Sequence, residues 1–314
     1  MTVSIIVPTY NHEKYIARSL DSIFMQETDC DCEILVGDDA STDSTPDILK
    51  QYVEKYPGRI KLFLREQNLG GTRNSYELLM AATGKYIATL EGDDYWTDSK
   101  KLQKQIDFLE DNPGFIGTCH KFDVVDSDGN FIKKKINWVK HKKVFTLADF
   151  QGVYLPSQPS TFVRRNIYLD KSKDYSFLYK INKMISDRTA VLLYLSRGDF
   201  YCFDDVMSVY RVATGSGSSI TKTLYNNNKN AIEMDLELTE KLERLAEEYL
   251  EVSADFTGQR KILYLSAVIR FIKSRDSNDL AVLKRIRGKR KRIGFLAYVF
   301  VGMCKIVAGK LGKK

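Results

Sequence analysis

The chain has 314 residues, of which 43% are hydrophobic and 28% are charged, a composition typical of a soluble globular protein with one sizeable core and room for a smaller second unit. Its net charge of +7 arises mostly near the C-terminal end, so it describes a surface and not the fold. The five cysteines form no metal-ligand pattern, and their odd number argues against a complete disulfide framework, so we expect a reducing compartment.

The first apolar run begins almost at the N-terminus. It covers only Val3–Val7 before Pro8 ends it, which is too short for the apolar core of a signal peptide. We therefore expect a cytoplasmic protein.

Short apolar runs then alternate with amphipathic stretches through the first 125 residues, as expected of βαβ units on a largely parallel sheet. The predicted strands are residues 3–7, 32–37, 60–65, 85–90 and 115–125. The predicted helices between them are residues 13–26, 47–56 and 75–82. In such a sheet, ligands bind beyond the carboxyl ends of the strands. That edge carries three polar segments, which we expect to meet in one crevice: Pro8–Asn11, Asp38–Asp39 and Glu91–Asp94.

The second half of the chain has a different pattern. Residues 183–197 are predicted to form a helix and residues 199–212 two short strands. Residues 215–219 are glycine and serine, which predicts a flexible loop, and the chain beyond about residue 225 is predicted to be helical. The expected division is a first domain of residues 1–220, with halves 1–98 and 99–220, and a helical region of residues 221–314.

The strongest single signal is the segment Glu91–Asp94, which follows the apolar run Tyr86–Leu90 and which we call the acid turn. Its three carboxylates repel one another, so a folded protein holds them together mainly where a cation or hydrogen-bond donors compensate the charge. Carboxylate oxygens are hard ligands, which favours Mg²⁺ or Mn²⁺ over zinc. A solvated acidic turn that leads into the next helix explains the same residues.

Two other loops carry residues suited to a nucleotide. Asp39 can accept hydrogen bonds from a base or a ribose, although an aspartate there also suits a helix-capping loop. The loop Asn68–Asn74 has two glycines, which let the backbone approach a phosphate, and Arg73, which can pair with it. Its Gly-Gly-Thr-Arg sequence hints at a sugar-phosphate nucleotidylyltransferase, but in those enzymes the signature follows the first strand. No Gly-x-Gly-x-x-Gly follows the first strand either, which argues against a dinucleotide-binding dehydrogenase.

Four motifs occur together in one order: Ser4–Asn11, Gly37–Asp43, Asn68–Gly70 and Glu91–Trp96. In this order and at this spacing they resemble the family 2 glycosyltransferases of the GT-A fold. The resemblance covers about the first 125 residues well and continues more loosely to about residue 212. It implies an α/β fold with a Rossmann-like nucleotide-binding half, a mixed central sheet and a C-terminal helical region, and it implies an inverting reaction.

The resemblance also implies the donor and its site. The donor is a nucleoside-diphosphate sugar, with a UDP-sugar favoured. The acid turn corresponds to the family's DxD-type motif, with Glu91 in place of the commoner aspartate, and Asp93 and Asp94 are the implied ligands of Mn²⁺ or Mg²⁺. The implied donor-binding residues are Pro8, Thr9, Tyr10, Asp39, Asn68, Gly70, Arg73, Glu91 and Asp93.

An acceptor hydroxyl needs a base that removes its proton as it attacks. The family places this carboxylate at the start of a helix well after the acid turn, and Asp187 matches that place. Without the resemblance, a carboxylate that stabilises a helix N-terminus explains Asp187 better. Residues 156–161 are implied to line the acceptor side.

The chain departs from the family at one position. Many relatives carry a histidine shortly after a Tyr-Arg pair, where it can approach the metal or the phosphates, but here Tyr210–Val212 is followed by Ala213. We therefore expect the loop of residues 214–219 to close over the donor with Arg211 or the loop hydroxyls.

Two basic segments remain. Residues 133–143 hold six lysines around Trp138, and residues 284–292 hold seven basic residues, followed by the uncharged run Ile293–Cys304. That run is too short to span a bilayer but suits the surface of an anionic membrane. We expect peripheral contact with the inner face of the plasma membrane through the C-terminal basic helices, with a core helix that bears a solvated basic face as the alternative. No DNA- or RNA-binding module accompanies the lysines, so nucleic acid is not an expected partner.

The sequence thus predicts a metal-dependent hexosyltransferase that moves a sugar to a hydroxyl of a glycan or a lipid-linked acceptor during assembly of a surface polysaccharide, such as a capsule, an O-antigen or an exopolysaccharide. One alternative is a sugar-phosphate nucleotidylyltransferase, which would release pyrophosphate. The other is a non-catalytic protein that binds nucleotide sugars. The sequence does not specify the sugar, the acceptor or an oligomeric state.

Overall fold

The structure, a computed structural model, describes residues 2–183, 186–212, 231–274 and 277–287. The chain divides into two compact units: Met1–Asp149 with Tyr154–Ile220, and Phe150–Val153 with Thr221–Lys314. The predicted boundary at residue 220 lies outside the described residues, as do Ala213 and the loop predicted at residues 215–219.

One mixed sheet organises the first unit. Its nine strands are β1 (Thr2–Thr9), β2 (Asp31–Asp38), β3 (Ile60–Leu64), β4 (Tyr86–Thr89), β5 (Tyr95–Trp96), β6 (Phe115–Val125), β7 (Val144–Phe145), β8 (Val163–Arg165) and β9 (Asp199–Arg211). They lie in the order β3-β2-β1-β4-β8-β6-β9-β5, and β7 pairs with β9. The strands β1 to β4 run parallel to their neighbours among themselves, whereas β8 runs antiparallel to both β4 and β6.

Helices connect the parallel strands and follow the sheet. They are α1 (Ile16–Phe24), α2 (Thr45–Lys55), α3 (Gly71–Ala81), α4 (Lys101–Asp111), α5 (Leu147–Phe150), α6 (Phe177–Lys180), α7 (Asp187–Leu195), α8 (Ala231–Arg244), α9 (Thr257–Ser274) and α10 (Ser277–Arg287). Ser44 is the N-cap residue of α2 and Pro46 stands in its first turn, where the missing N–H of proline costs no helical hydrogen bond.

The core of the first unit joins the sheet to its helices. Ile5, Leu20, Val36, Trp96 and Ile106 belong to one apolar cluster and are all buried. Because β1 lies between β2 and β4, it is buried from Val3 to its last residue, Thr9. Burial of this much apolar surface fixes the central strands, and it therefore fixes the loops that follow them.

The structure confirms the α/β fold with a mixed sheet and C-terminal helices, and the five predicted strands are present as β1, β2, β3, β4 and β6. One prediction is wrong, because residues 199–212 contain a single strand, β9, and not two. The adjacent aspartates Asp204 and Asp205 suggest a break in the sequence. In the structure they lie where the register against β6 shifts, between Phe203 and Val206, so the strand bulges and continues.

The second unit contains the helices α8, α9 and α10 in its described residues. Its apolar core consists of Leu236, Leu263, Ala267 and Ile286, and α8 continues as a π-helical turn over Leu245–Tyr249. In the described part of the chain, no helix has both the length and the apolar character needed to cross a membrane. The uncharged run at residues 293–304 lies outside the described residues, so membrane contact stays a prediction.

Candidate functional site

The carboxyl ends of β1, β2 and β4 meet at one edge of the sheet, as the sequence predicts. The backbone N–H of Asp39 donates to the carbonyl of Thr9 at 3.0 Å, and the N–H of Gly92 donates to the carbonyl of Pro8 at 3.1 Å. The loops after the three strands therefore form one connected edge, the place where α/β sheets bind ligands.

Gly92 brings the acid turn against the loop that follows β1. A Cβ atom at this position would lie 2.7 Å from Thr9 Oγ1 and 2.7 Å from His12 Nδ1, which is far inside van der Waals contact. Thr9 Oγ1 and His12 Nδ1 are themselves 3.1 Å apart. Tyr10, next in the loop, is 43% exposed, so its ring is open to a ligand.

Asp39 holds the loop Asn68–Gly70 in place. Its buried carboxylate accepts the backbone N–H of Leu69 at 2.7 Å and that of Gly70 at 3.0 Å. The side-chain amide of Asn68 donates to the Asp39 carbonyl at 3.0 Å. Gly70 has a φ of 86°, a left-handed conformation that favours glycine. Three predicted donor-binding residues are thus in contact, and Asp39 has a structural task besides any contact with a ligand.

Arg73 lies in the first turn of α3 and pairs within that helix. Its Nε donates to Glu77 Oε1 at 3.2 Å, and its guanidinium lies 5.7 Å from the centre of the Tyr179 ring. The side chain is about half exposed, at 51%. A contact between Arg73 and a phosphate stays a prediction.

Asp94 is the most constrained carboxylate of the acid turn. It is 1% exposed, and its two oxygens accept hydrogen bonds from Ser160 Oγ at 2.6 Å and from the backbone N–H of Arg211 at 2.8 Å. Ser160 Oγ also accepts the backbone N–H of Glu91 at 3.0 Å. Ser160 therefore joins both ends of the turn. Burial and the charge of Asp93 raise the pKa of Asp94 well above its ordinary value, despite these donors.

Glu91 and Asp93 are only partly buried, and their carboxylates receive no hydrogen bond from any described residue. Burial raises the pKa of Glu91 well above its ordinary value, and the negative charges of Asp187, Asp93 and Asp94 raise it further. Charge crowding in this turn is thus present in the fold, and Arg211 offsets only part of it at Asp94.

Asp187 joins this group from a distant part of the sequence. It is the first residue of α7, after the N-cap residue Ser186, and its charge acts on Glu91. Burial raises the pKa of Asp187, while Arg164 and Arg188 act in the opposite direction. Arg164 is itself held by β4, because its Nη2 donates to Thr89 Oγ1 at 2.7 Å.

Two residues of β9 complete the site. The sequence predicted that Arg211 closes over the donor together with the loop after it, which stays a prediction, and it gave Tyr210 no role of its own. The buried guanidinium of Arg211 donates to the carbonyls of Asp93 at 3.0 Å and Asp126 at 2.9 Å, and it stacks on Tyr15 at 4.2 Å. It therefore braces the acid turn from behind. Burial and the surrounding carboxylates raise the pKa of Tyr210, with Asp94 and Asp93 contributing most of the electrostatic effect.

The sequence also gave no indication that Arg164 acts on Asp187 or that Ser160 holds the acid turn. Arg164 directly follows the apolar pair Phe162–Val163, and an arginine next to apolar residues is a weak signal for a buried charge with a partner. Ser160 stood only within the segment expected to line the acceptor side, and nothing local in that segment indicates its bonds to Glu91 and Asp94.

The acid turn offers few protein ligands for a divalent cation. Among the described residues, no group of three or more His, Cys, Asp or Glu side chains is arranged to hold a metal ion. Asp94 is turned toward Ser160 and Arg211, which leaves Glu91 and Asp93 as the carboxylates that receive no hydrogen bond from the described residues, and Asp93 is the one that the family resemblance implies as a metal ligand. Mg²⁺ is commonly held by one or two carboxylates together with substrate phosphates and water, and this donor set matches that arrangement.

Comparison with known proteins places the fold and the family. Part of Staphylococcus aureus TarS, solved in complex with UDP-GlcNAc, matches with a TM-score of 0.60 and 20% identity over 95% of this chain and 82% of that one. The mixed sheet with its strand-end acid turn is therefore the GT-A fold. Residues 4–170 match the family described as Glycosyl transferase family 2. The chain belongs to this family, which confirms the resemblance found in its motifs.

Two sets of curated relatives are similar in sequence. Uncharacterized proteins of Mycobacterium tuberculosis and M. bovis are 42% identical over 127 residues, which are 40% of this chain and 37% of each relative. A poly(ribitol-phosphate) beta-glucosyltransferase of Bacillus spizizenii is 30% identical over 243 residues, which are 68% of this chain and 37% of that protein. The chain thus spans well under half the length of these relatives.

Proposed function

We propose that the chain is an inverting glycosyltransferase that moves a sugar from a nucleoside-diphosphate donor, with a UDP-sugar favoured, to a hydroxyl of a glycan or lipid-linked acceptor of a surface polysaccharide. The observation that carries this proposal is the convergence of the loops after β1, β2 and β4 at one sheet edge, with Asp187 close enough to the acid turn for its charge to act on Glu91. Support also comes from TarS, which binds UDP-GlcNAc, and from the Bacillus relative, which acts on poly(ribitol phosphate).

The proposed reaction is one in-line displacement. The acceptor oxygen forms a bond to the anomeric carbon as the bond from that carbon to the donor diphosphate breaks, and the diphosphate leaves with the bonding electron pair. Asp187 takes the proton of the attacking hydroxyl. Because burial raises its pKa, this carboxylate is a stronger base than an exposed aspartate, which suits proton removal near neutral pH.

The remaining residues position these groups. Ser160 and Arg211 hold Asp94 and the backbone of the acid turn, and Asp39 holds the loop Asn68–Gly70. A bound Mn²⁺ or Mg²⁺, with Asp93 as its protein ligand, would neutralise charge that develops on the leaving diphosphate. The open ring of Tyr10 suits a stacking contact with the base.

The substitution Asp187→Asn tests the assignment of the base. We expect transfer to fall by about 10²–10⁴-fold, since that is the usual contribution of a positioned base, while UDP-sugar affinity changes little. The measurements are product formation by mass spectrometry and donor affinity by calorimetry. Asp47→Asn, on the exposed side of α2 with its side chain 75% exposed, is the matched control and should behave as wild type. Normal transfer by Asp187→Asn would refute the assignment.

The same assays separate the alternatives. A nucleotidylyltransferase would consume a nucleoside triphosphate and release pyrophosphate. A non-catalytic binding protein would bind the donor but neither transfer nor hydrolyse it. Release of UDP that depends on an added acceptor supports the transferase.

The proposed metal role predicts a cation-dependent affinity for UDP. We expect Mn²⁺ to strengthen UDP binding to the wild type, measured as thermal stabilisation with and without EDTA, and we expect Asp93→Asn to lose most of that gain. Asp94→Asn should instead lower stability in the absence of ligand by about 1–3 kcal/mol, because it disturbs two buried hydrogen bonds. If UDP binding is indifferent to both Mn²⁺ and EDTA, the metal role is wrong.

A further inference from the structure

A lysine-rich segment lies beside the site, and the proposed reaction does not use it. We call residues 131–143 the basic strip; it contains six lysines and no acidic residue. The segment leaves β6 after the turn at Asp126 and ends where β7 begins.

The basic strip is held against the first unit by its backbone. The N–H of Ile132 donates to the Val124 carbonyl at 2.9 Å, and the N–H of Leu155 donates to the Trp138 carbonyl at 2.9 Å. At the other end, the N–H of Cys202 donates to the Lys143 carbonyl at 2.9 Å. These bonds fix where the lysines and Trp138 stand relative to β6 and β9.

Five of the six lysines of the strip fall into two groups, and the sixth, Lys143, is exposed at its end. Lys140 and Lys142 pair with Asp149, at 3.2 Å and 2.9 Å. Lys133, Lys134 and Lys135 are exposed and make no ion pair with any described residue. Three adjacent positive charges thus face solvent without an ion-pair partner among the described residues, and together they produce a local positive potential that attracts an anion.

Aromatic side chains connect the strip to the acid turn. The ring of Trp138 meets that of Tyr210 edge to face, with centroids 6.4 Å apart, and Phe122 meets Tyr210 in the same way at 5.8 Å. Tyr210 directly precedes Arg211, whose N–H donates to Asp94. All three rings are only partly buried. A path of aromatic surface therefore runs from the lysines to the reacting groups.

We propose that the basic strip binds an acceptor that is itself a polyanion, a chain that carries repeated phosphodiester or carboxylate groups, and that Trp138 and Tyr210 guide its terminal hydroxyl toward Asp187. This inference rests on the proposed function. The carboxylates of Glu91, Asp93 and Asp187 repel an anionic chain, and the lysines offset that repulsion along the approach. A neutral glycan would have no use for them.

The geometry favours a polymer over a membrane surface for this strip. Its aromatic residues lead inward to Tyr210, whereas the apolar side chains of an interfacial membrane anchor project outward. In the described part of the strip, Phe131, which is 69% exposed, is the large apolar side chain that projects in this way.

The triple variant Lys133→Ala/Lys134→Ala/Lys135→Ala tests the proposal. The control triple Lys50→Ala/Lys55→Ala/Lys100→Ala removes the same charge from exposed sites elsewhere on the unit. The probes are poly(ribitol phosphate), polygalacturonate, uncharged dextran, and vesicles of phosphatidylcholine with phosphatidylglycerol. We expect the strip variant to bind its polyanion about tenfold more weakly, since three exposed ion pairs are lost. UDP affinity should stay within about twofold, and Lys-to-Arg replacement should restore binding.

Each outcome either identifies the class of acceptor or overturns the proposal. Tighter binding of poly(ribitol phosphate) than of polygalacturonate assigns a phosphodiester acceptor, and the reverse assigns a uronate acceptor. Equal binding of dextran, an equal loss in the control triple, or a strip-dependent affinity for vesicles alone would overturn the proposal. Absence of UDP binding in the wild type would instead refute the proposed function, so the two failures are distinguishable.

Discussion

The three carboxylates of the acid turn, although close together in the sequence, have different environments and roles in this fold. Asp94 is buried and bonded to Ser160 and Arg211, Asp93 is accessible, and Glu91 carries a raised pKa because burial and three neighbouring charges act on it. The side chain alone does not decide the role of an acidic residue. The number of donors within reach and the depth of burial decide it.

Glu33, near the start of β2, has a lowered pKa, whereas the pKa values of Glu91 and Asp94 are raised. Burial by itself would raise its pKa, but Lys61 at 2.9 Å, Ser4 at 2.5 Å and the backbone N–H of Thr83 at 2.7 Å all donate to its carboxylate. They lower the pKa of Glu33 from 4.5 to about 2. The folded protein therefore binds the proton of this group more weakly than the unfolded chain does.

This difference predicts a pH-dependent stability. A carboxylate whose pKa is lower in the folded protein than in the unfolded chain stabilises the fold at pH values above its unfolded-state pKa. This stabilisation is lost as the pH falls toward the folded-state pKa. We expect Glu33→Gln to cost about 3 kcal/mol at pH 7 and about half of that at pH 3, measured by urea denaturation. Glu54→Gln, on the exposed face of α2, is the control. A cost that does not change between the two pH values would show that the ion pair is not its source.

At the scale of elements, the acid turn works because it packs against the loop after β1. That contact requires a residue without a Cβ at position 92, where the nearest atoms of Thr9 and His12 would otherwise overlap with it. The turn thus depends on an element far away in the sequence.

We predict that Gly92→Ala displaces the acid turn, lowers stability by about 1–3 kcal/mol through overpacking and weakens UDP binding and transfer by a larger factor. Gly114→Ala is the control, because a Cβ at Gly114 meets nothing within 4 Å. Thermal unfolding and UDP calorimetry measure the two effects. If both variants bind UDP equally well, the close approach is not needed for the site.

At the scale of the whole molecule, the described residues contain a core in each unit. One joins the sheet to its helices around Ile5 and Trp96, and the other joins α8, α9 and α10 around Leu236 and Ala267. Each unit therefore has its own source of apolar stabilisation.

Leu236→Ala should consequently act within the second unit. A fully buried leucine costs about 2–5 kcal/mol when it is truncated, and we expect faster amide hydrogen exchange in α8 and α9 with unchanged exchange in β1 and β4. Ile272→Ala, at a side chain that is 59% exposed, should leave both units unaffected. Equal loss of protection in β1 would show that the two cores do not act separately.

Local pattern made much of the fold predictable. Apolar runs of strand length, with amphipathic helices between them, located β1 to β4 and β6, because burial of alternate or continuous apolar residues is a property of nearby positions. Turn-like aspartates misled the prediction at β9, where pairing with β6 carries the strand past Asp204 and Asp205. Long-range pairing overrode the local signal.

The sequence by itself determined the family, the sheet edge and the acidic character of the site, since strand ends and their polar residues follow from short-range pattern. Only the tertiary structure decided how those residues divide their work. It placed Asp187 within electrostatic reach of Glu91, turned Asp94 toward Ser160 and Arg211, and set Trp138 against Tyr210. These contacts join residues far apart in the chain, and they depend on how the sheet, α7 and β9 pack together, which no local pattern specifies.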